Sequence, residues 1–457
     1  MTSYAGAGLF AIAMTATACA DWGPQYCEGD WAASPPEAEP PVSRARTVAQ
    51  VLPEASAAVD ILFVIDDSLS MADEQAQLGI WSGKLFDVLS GSGELPDLHI
   101  AVTSSSVAIS SITQCVGGTG GSLQVGGATL QRDRFLSDVA GPEGRVRNYA
   151  GRLTETFAKM ARLGDGGCGM EQPIKAARIA LSNKTDGFLR DDALLVVVFV
   201  TDEDDCSAKD PALFGDQVAD ACSELGTNTS YRCFEHGVRC YDGKGSRALG
   251  DRSNCRADES SPYMESVSGF AGFLKGLKTN PAQVVVAAIY GKPNWVHTIP
   301  DERVTTHKTP RLADVCGGSG KEGTGATPAI RMNALLAEFG GRASQSSICE
   351  SELSWAMGDI GLVTRRAATR SHCLGGRLID ANAGAAGIQP TCRVEVATDV
   401  GTDAERRIEV PPCDGAAGRC FTIDTDAACA DTETRLAFEV SNPAENETLT
   451  IACDVAD

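Results

Sequence analysis

Residues 59–71 read VDILFVIDDSLSM. Val59 to Ile65 is a continuous apolar run, the pattern of a strand buried on both faces. It ends abruptly in Asp66, Asp67, Ser68, Leu69 and Ser70, a change from core to polar turn within one residue. The next segment is helical: Leu78, Trp81, Leu85, Val88 and Leu89 recur at the spacing of one helix face.

The same alternation continues downstream. Leu98 to Thr103 (LHIAVT) predicts a second strand, and Leu153, Phe157, Met160 and Ala161 mark one face of a helix over 152–163. Another helix is expected over 172–182, with Pro173 tolerated in its first turn. Leu194 to Thr201 (LLVVVFVT) is the strongest central strand, and Val284 to Tyr290 (VVVAAIY) is another. Val267, Phe270, Leu274 and Leu277 predict a helix before the latter; Leu335, Leu336 and Phe339 predict one after it. Ser346 to Cys349 reads as a short edge strand, and Leu353 to Val363 as a closing helix. This order predicts an α/β fold, a doubly wound and mainly parallel sheet with helices on both faces.

Two stretches interrupt the alternation. Residues 206–262 carry Cys206, Cys222, Cys233, Cys240 and Cys255 with little periodicity, and read as a disulfide-stapled insertion. Residues 291–329 form a second irregular insertion. From about residue 366 the texture changes to short strand-like runs (CRVEVAT, RRIEVPP, CFTID, LAFEV, LTIAC) among six cysteines. Residues 366–457 are therefore expected to form a small Cys-rich β domain with up to three internal disulfides.

Among 457 residues there are 17 cysteines and no C-x-x-C pair. That usage disfavours reducing cytosol and zinc-ribbon or thioredoxin-like readings, and favours disulfides formed after export. Residues 5–18 (AGAGLFAIAMTATA) form an apolar run too short to span a membrane and end at Cys19. They read as the h-region of a signal peptide within residues 1–19, and Ala16-Thr17-Ala18-Cys19 resembles a bacterial lipobox in which Cys19 is lipidated. Setting Cys19 aside leaves sixteen cysteines, enough for eight disulfides. No Lys or Arg precedes the apolar run, so an ordinary cleaved signal and a buried N-terminal helix stay open. Residues 20–57 include a Pro-, Ala- and Glu-rich segment and are expected to be a tether. The expected location is thus the cell envelope, outer membrane or cell surface, with the membrane met only through the lipid. A net charge of −22 opposes the phosphate backbone, which excludes nucleic acid as the expected partner.

Asp66, Ser68 and Ser70 form a D-x-S-x-S pattern at a strand's carboxyl end, where α/β sheets place ligands. All three offer hard oxygen atoms. A magnesium-sized ion takes six such oxygens and keeps water or ligand among them. Two neutral hydroxyls and few carboxylates leave it under-neutralised, so it attracts an acidic group from a partner. VVFVTDEDDCS (197–207) brings Asp202 to the end of a second strand at the same edge. The alternative is that Asp66, Ser68 and Ser70 cap the following helix.

Asp66-x-Ser68-x-Ser70 with Thr201-Asp202 resembles the metal-ion-dependent adhesion site of von Willebrand factor A domains. Together with GDGGCGMEQPIKAA and SICESELSWAMGDI, these motifs resemble a group of surface lipoproteins common in myxobacteria and their relatives. The resemblance covers roughly 58–363 and implies Mg²⁺ or Mn²⁺, with Ca²⁺ as the other divalent candidate, and a protein ligand whose acidic side chain completes the coordination. Its domain is expected over 58–365. The family's usual Thr is absent from the loop 164–172 (GDGGCGMEQ), where Glu171 or Asp165 would substitute. Asp67, Glu203, Asp204 and Asp205 read as a second cation site or, more simply, a solvated acidic loop. Cys168 and Cys206 flank the two site loops and are expected to pair.

Other chemistry finds little support. GGSGK (317–321) resembles a phosphate loop but continues into Glu322, and no G-x-S-x-G or H-E-x-x-H occurs. His99, His236, His297, His307 and His372 are scattered. Three functions are expected, in descending order: a metal-assisted binding module and not an enzyme; an envelope scaffold with a degenerate, metal-free site whose Cys-rich regions recognise the partner; and a metal-dependent hydrolase.

Overall fold

The computed structural model describes residues 47–52, 58–91, 95–182, 186–215, 223–278, 281–304, 309–316, 325–368, 372–373, 391–398, 405–413, 419–425, 436–440 and 447–454. The signal peptide, Cys19, Cys27, Cys222, Cys429, His307 and the GGSGK segment lie outside the described residues.

Seven strands form the central sheet: β1 Ala58–Ile65, β2 Asp97–Ser104, β3 Leu136–Gly141, β4 Gly144–Arg147, β5 Leu194–Val200, β6 Val284–Tyr290 and β7 Ala343–Ser347. Their spatial order is β7-β6-β5-β1-β2-β3-β4. The first five in that order are mutually parallel. β3 and β4 extend the far edge as an antiparallel hairpin. The chain is therefore α/β with a mainly parallel sheet, as the strand–helix alternation predicts. The hairpin has no counterpart in that reading, since its strands are short, without an apolar run, and largely exposed or half-exposed. The edge strand is centred a few residues before 346–349.

Alternation along β1 splits the core into two layers. Val59, Ile61, Phe63 and Ile65 face a cluster with Leu78, Leu85 and Phe86 of α1 (Ala72–Ser90), Phe157 of α2 (Leu153–Met160) and Met357 and Ile360 of α7 (Ser354–Ala368). Leu62 and Val64 face Ile174 and Ala177 of α3 (Pro173–Ser182), Phe270 of α5 (Val267–Lys275) and Leu335 of α6 (Ile330–Ala337). Every residue of β5 and β6 is buried, which is why those runs read as apolar without alternation. Asp60 sits inside the β1 run, fully buried and neutralised by Arg190 at 2.7 Å, near the end of the sheet away from Asp66.

The 206–262 insertion has regular structure. It contains the short helix α4 (Tyr231–Gly237) and paired strands Val238–Cys240 and Cys255–Ala257 joined by Cys240–Cys255. Strand Gly250–Arg252 joins Val296–Pro300 and Pro310–Leu312 of the second insertion in a three-stranded sheet.

The C-terminal region is β-structured, with Cys392–Cys453 and Cys413–Cys420 among the described residues. One part of the expected tether departs from that reading. Thr47–Leu52 pairs antiparallel with Glu447–Asp454, in register from Thr47 opposite Asp454 to Leu52 opposite Leu449. The backbone groups of TVAQVL find partners along a sheet edge, a long-range pairing invisible to local composition.

The most deeply buried ion pair joins the sheet edge to a helix. Arg331 and Asp205 are both 0% exposed with Nη2 and Oδ2 2.9 Å apart. Asp205 Oδ1 also accepts from the Ser207 hydroxyl and from Ile174 N in the first turn of α3. Replacing Arg331 with Met strands that carboxylate in the core, and urea denaturation should show a loss of about 3–5 kcal/mol. A loss under about 1 kcal/mol would show that the fold does not need the pair.

Candidate functional site

The carboxyl ends of β1, β2, β5 and β6 are stitched into one rim. Asp66 N donates to Val200 O at 2.9 Å, Ser105 N to Ile65 O at 3.0 Å and Thr201 N to Ile289 O at 3.1 Å. Asp66 is fully buried. Its Oδ1 accepts from Ser68 N at 2.8 Å and its Oδ2 from the Thr201 hydroxyl at 2.8 Å. The D-x-S-x-S turn and the Thr201-Asp202 strand end thus meet on one rim, through side chains 135 residues apart.

Ser68 and Ser70 do not act as caps. The N-cap positions of the short 3-10 turn and of α1 make no side-chain capping bond. Ser68 Oγ lies 3.1 Å from Ser70 Oγ, and the Ser70 hydroxyl donates to the Asp202 carboxylate. Asp202 is 6% exposed, and its Oδ1 is buried without a hydrogen-bond partner.

Glu171, expected from the resemblance to replace a Thr, lies on the loop before α3, which brings it to this rim. Cys206 N donates to Glu171 O at 2.8 Å and Gln172 N to Ser105 O at 2.9 Å. Glu171 is 1% exposed, and its Oε1 also lacks a partner. The neighbouring Glu203 is half-buried and hydrogen-bonds with Glu171. Asp165 is exposed and does not line the cleft.

These groups resist ionisation together. Burial, then the charge of Asp202, lifts Asp66 to about 7. Burial lifts Asp202 to about 6 against the Ser70 hydrogen bond, with Glu74 adding to the rise. Glu203 rises to about 8 by burial and by Asp202 and Asp66. Glu171 is pushed well above the carboxylate range by burial and by Glu203. The rim opens into a cleft of about 760 Å³ lined also by Ser70, Tyr231, Phe234 and Arg303.

A divalent cation fits this chemistry. It would relieve the mutual repulsion and satisfy the orphaned Asp202 oxygen, with Ser68 and Ser70 supplying neutral oxygens and water the rest. Among the described residues no three Asp, Glu, His or Cys side chains form a ready ligand set, so such an ion depends on hydroxyls and water.

The rest of the acidic run is structural. Asp67 Oδ1 accepts from the hydroxyls of Ser104 at 2.7 Å and Ser106 at 2.6 Å. Asp204 caps α6, accepting from Arg331 N at 3.0 Å and Met332 N at 3.1 Å. With Asp205 paired to Arg331, neither a second cation site nor a solvated loop describes these three. Each accepts hydrogen bonds from hydroxyl, backbone or cationic groups of distant segments, which no local pattern reveals.

Cys168 and Cys206 do not pair. Cys168 joins Cys115 on the loop after β2, and Cys206 joins Cys233 in α4. The two site loops adjoin through the Cys206 N–Glu171 O bond. Ser106 Oγ, however, accepts from Cys168 N at 2.7 Å and holds that cysteine against the β2 loop, beside Cys115. Both bridges lie in one buried cluster with Met170, Ala208 and Met264.

Two further residues position the loops. Gln75 is 3% exposed; its amide nitrogen donates to Asp66 O at 2.9 Å and Gly164 O at 2.8 Å, and its oxygen accepts from Leu163 N and Gly164 N. Its place on α1's inner face among apolar residues is the one sequence signal for it. Gly167 touches Asp67: its N–H donates to Asp67 O at 2.7 Å, and an added Cβ would come within 2.4 Å of Asp67 Oδ1.

No protein-family model matches the chain, and no curated protein matches it in sequence. Solved structures with some likeness include proximal thread matrix protein 1 from the mussel byssus, at 11% identity and TM-score 0.28 over 71% of this chain and 51% of that one. The pilus adhesin SpaC from Lactobacillus rhamnosus GG has 10% identity and TM-score 0.30 over 88% and 39%. A von Willebrand factor type A structure from Catenulispora acidiphila has 10% identity and TM-score 0.26 over 90% and 62%. The chain spans about half or less of the length of the first two. At these values the likenesses establish neither family nor function.

Two outcomes are expected from this geometry. Replacing Gln75 with Leu leaves two carbonyls and two N–H groups without partners, and should cost about 1–3 kcal/mol in urea denaturation. The raised carboxyls mean that the folded state binds more protons than the unfolded state between roughly pH 4 and 8. In chelator, stability should therefore fall as pH rises through that window, and Glu203→Gln should flatten the slope. A melting temperature that climbs from pH 5 to 8 would contradict this.

Proposed function

We propose that the chain is an exported binding protein of the cell envelope that captures a protein ligand through a divalent cation on the β1–β5 rim. The supporting observation is the convergence of Asp66, Ser68, Ser70 and Asp202 at adjacent strand ends, with the Asp202 Oδ1 buried and unpartnered. In this reading Asp66, Ser68 and Ser70 hold the ion with water, and Asp202 adds an oxygen directly or through water. Glu171 would be a further ligand in place of the missing Thr. Mg²⁺ is the preferred ion and Mn²⁺ or Ca²⁺ the alternatives; bound there, the ion would draw an acidic side chain of the partner into its shell.

Six disulfides among the described residues support an oxidising, extracytoplasmic location. The lipobox-like Ala16–Cys19 extends this to a lipid anchor on the surface of a bacterium resembling the myxobacterial lipoproteins. No helix among the described residues is long and apolar enough to cross a membrane. Binding is preferred to catalysis because the sequence carries neither a G-x-S-x-G nor an H-E-x-x-H arrangement.

One observation favours a metal-free scaffold as the second reading. Both Asp66 oxygens already accept hydrogen bonds, so the site holds together without an ion. Calorimetry separates the two. Mg²⁺ or Mn²⁺ should bind the wild type at pH 7.5 and raise its melting temperature, and Asp202→Asn and Asp66→Ala should weaken that binding at least tenfold, about 1.4 kcal/mol. Wild-type protein indifferent to Mg²⁺, Mn²⁺ and Ca²⁺ would favour the scaffold.

A further inference from the structure

The proposed cation accounts for Asp66, Ser68, Ser70 and Asp202 but leaves the cleft strongly acidic. Glu171 and Glu203 stand beside it, and Asp314 adds a further carboxylate to the lining. The lining's two guanidinium groups are already engaged: Arg303 forks onto Asp301 at 2.8 and 2.9 Å, and Arg311 reaches Asp314 at 3.8 Å. The Glu171 Oε1 has no partner although the residue is 1% exposed. A buried carboxylate oxygen facing an open cleft without a donor is an acceptor site waiting for one.

The donor it suits is not another metal. No three carboxylates, His or Cys converge there among the described residues, and the Ser68 and Ser70 hydroxyls that would complete a shell are given to the first cation. Two adjacent carboxyl groups, hydrogen-bonded to each other while the cleft is empty, match the several N–H groups of an ammonium or guanidinium group, whose positive charge would hold both ionised. The apolar part of the lining suits an aliphatic stem. Met170, Tyr231 and Phe234 are each no more than 7% exposed yet line the cleft together with Ile299 and Pro300. The Tyr231 and Phe234 rings lie 5.4 Å apart and form one apolar surface. An acidic floor with an apolar wall is the environment in which long basic side chains bury their methylenes and keep their charge paired.

We infer that Glu171 and Glu203 form a subsite for a basic side chain, Lys or Arg, of the partner protein, with Tyr231, Phe234 and Met170 covering its stem. This rests on the cleft being where the partner docks, as the proposed function has it, but does not require the metal; it takes Glu171 out of the ion's ligand set and leaves that place to water. A partner that engages both features carries an acidic and a basic side chain close together.

Titration calorimetry with short glycine-rich peptides carrying one central Arg, Lys or Glu tests it, in chelator and in Mg²⁺. The Arg or Lys peptide should bind the wild type and weaken as salt is raised. Glu171→Gln and Glu203→Gln, each near-isosteric, should reduce that affinity roughly ten- to a hundredfold, with melting temperatures at pH 7.5 equal to or above wild type. Ser68→Ala, which removes one of the ion's hydroxyls and keeps the anchored Asp66 carboxylate, should weaken the Mg²⁺ response yet keep the basic peptide, so failure of the metal site and failure of this subsite read out separately. The inference is overturned if neither basic peptide binds, if both Gln variants bind as the wild type does, if the Glu peptide is preferred in chelator, or if Mg²⁺ displaces the basic peptide from Ser68→Ala.

Discussion

The Thr201 hydroxyl donates to Asp66 across 2.8 Å, and the site hangs on that bond. It ties the end of one central strand to the end of its neighbour, and it does so inside the protein, where an unpaired carboxylate would be costly. With Ser68 N on the other oxygen, it fixes the turn that presents Ser68 and Ser70. Everything else on the rim is arranged around this anchored carboxylate: Asp202 one residue past Thr201, Glu171 on the loop before α3, and Gln75 bridging the turn to the loop at Gly164.

The cost of the arrangement is electrostatic. Burial raises Asp66, Asp202, Glu171 and Glu203 together, and each raises others. Proteins place such repulsion where a ligand will relieve it, since a group with no function there would be replaced at a gain in stability. The frame that resists the repulsion is covalent as well as packed. Cys115–Cys168 and Cys206–Cys233 hold the two loops from one buried cluster, and Cys316–Cys349 adds a third bridge. The buried Arg331–Asp205 pair and the Asp204 cap tie the acidic run to α6. Of four consecutive acidic residues, Asp205 is wholly in the core, Asp204 caps α6 at the cleft's edge, and Asp202 and Glu203 line the cleft, so the same composition does different jobs within four positions.

The parallel strands and most of their helices were legible because burial on both faces demands apolar runs, and runs such as Leu194 to Val200 have no polar interruption. The edge hairpin Leu136–Arg147 was not legible, because one exposed face and a few residues per strand leave little pattern. The Thr47–Leu52 pairing was hidden for another reason: its partner lies some 400 residues away in a separate sheet. The site itself divides the same way. Asp66, Ser68, Ser70 and Asp202 announce themselves by following strands, whereas Gln75 and Gly167 carry no local mark of their hydrogen bonds to the site loops.

Local sequence set the α/β class, the strands that carry the rim, and the oxygen-rich residues at their ends, because hydrophobic periodicity and strand termination are local properties of the chain. Long-range packing settled which cysteines meet, which carboxylates face the cleft, and where the first strand of the C-terminal sheet comes from. Those outcomes depend on contacts between segments far apart in sequence. A sulfur or carboxylate takes the partner that backbone hydrogen bonds set beside it, as Ser106 sets Cys168 beside Cys115, and spacing along the chain says nothing about that choice.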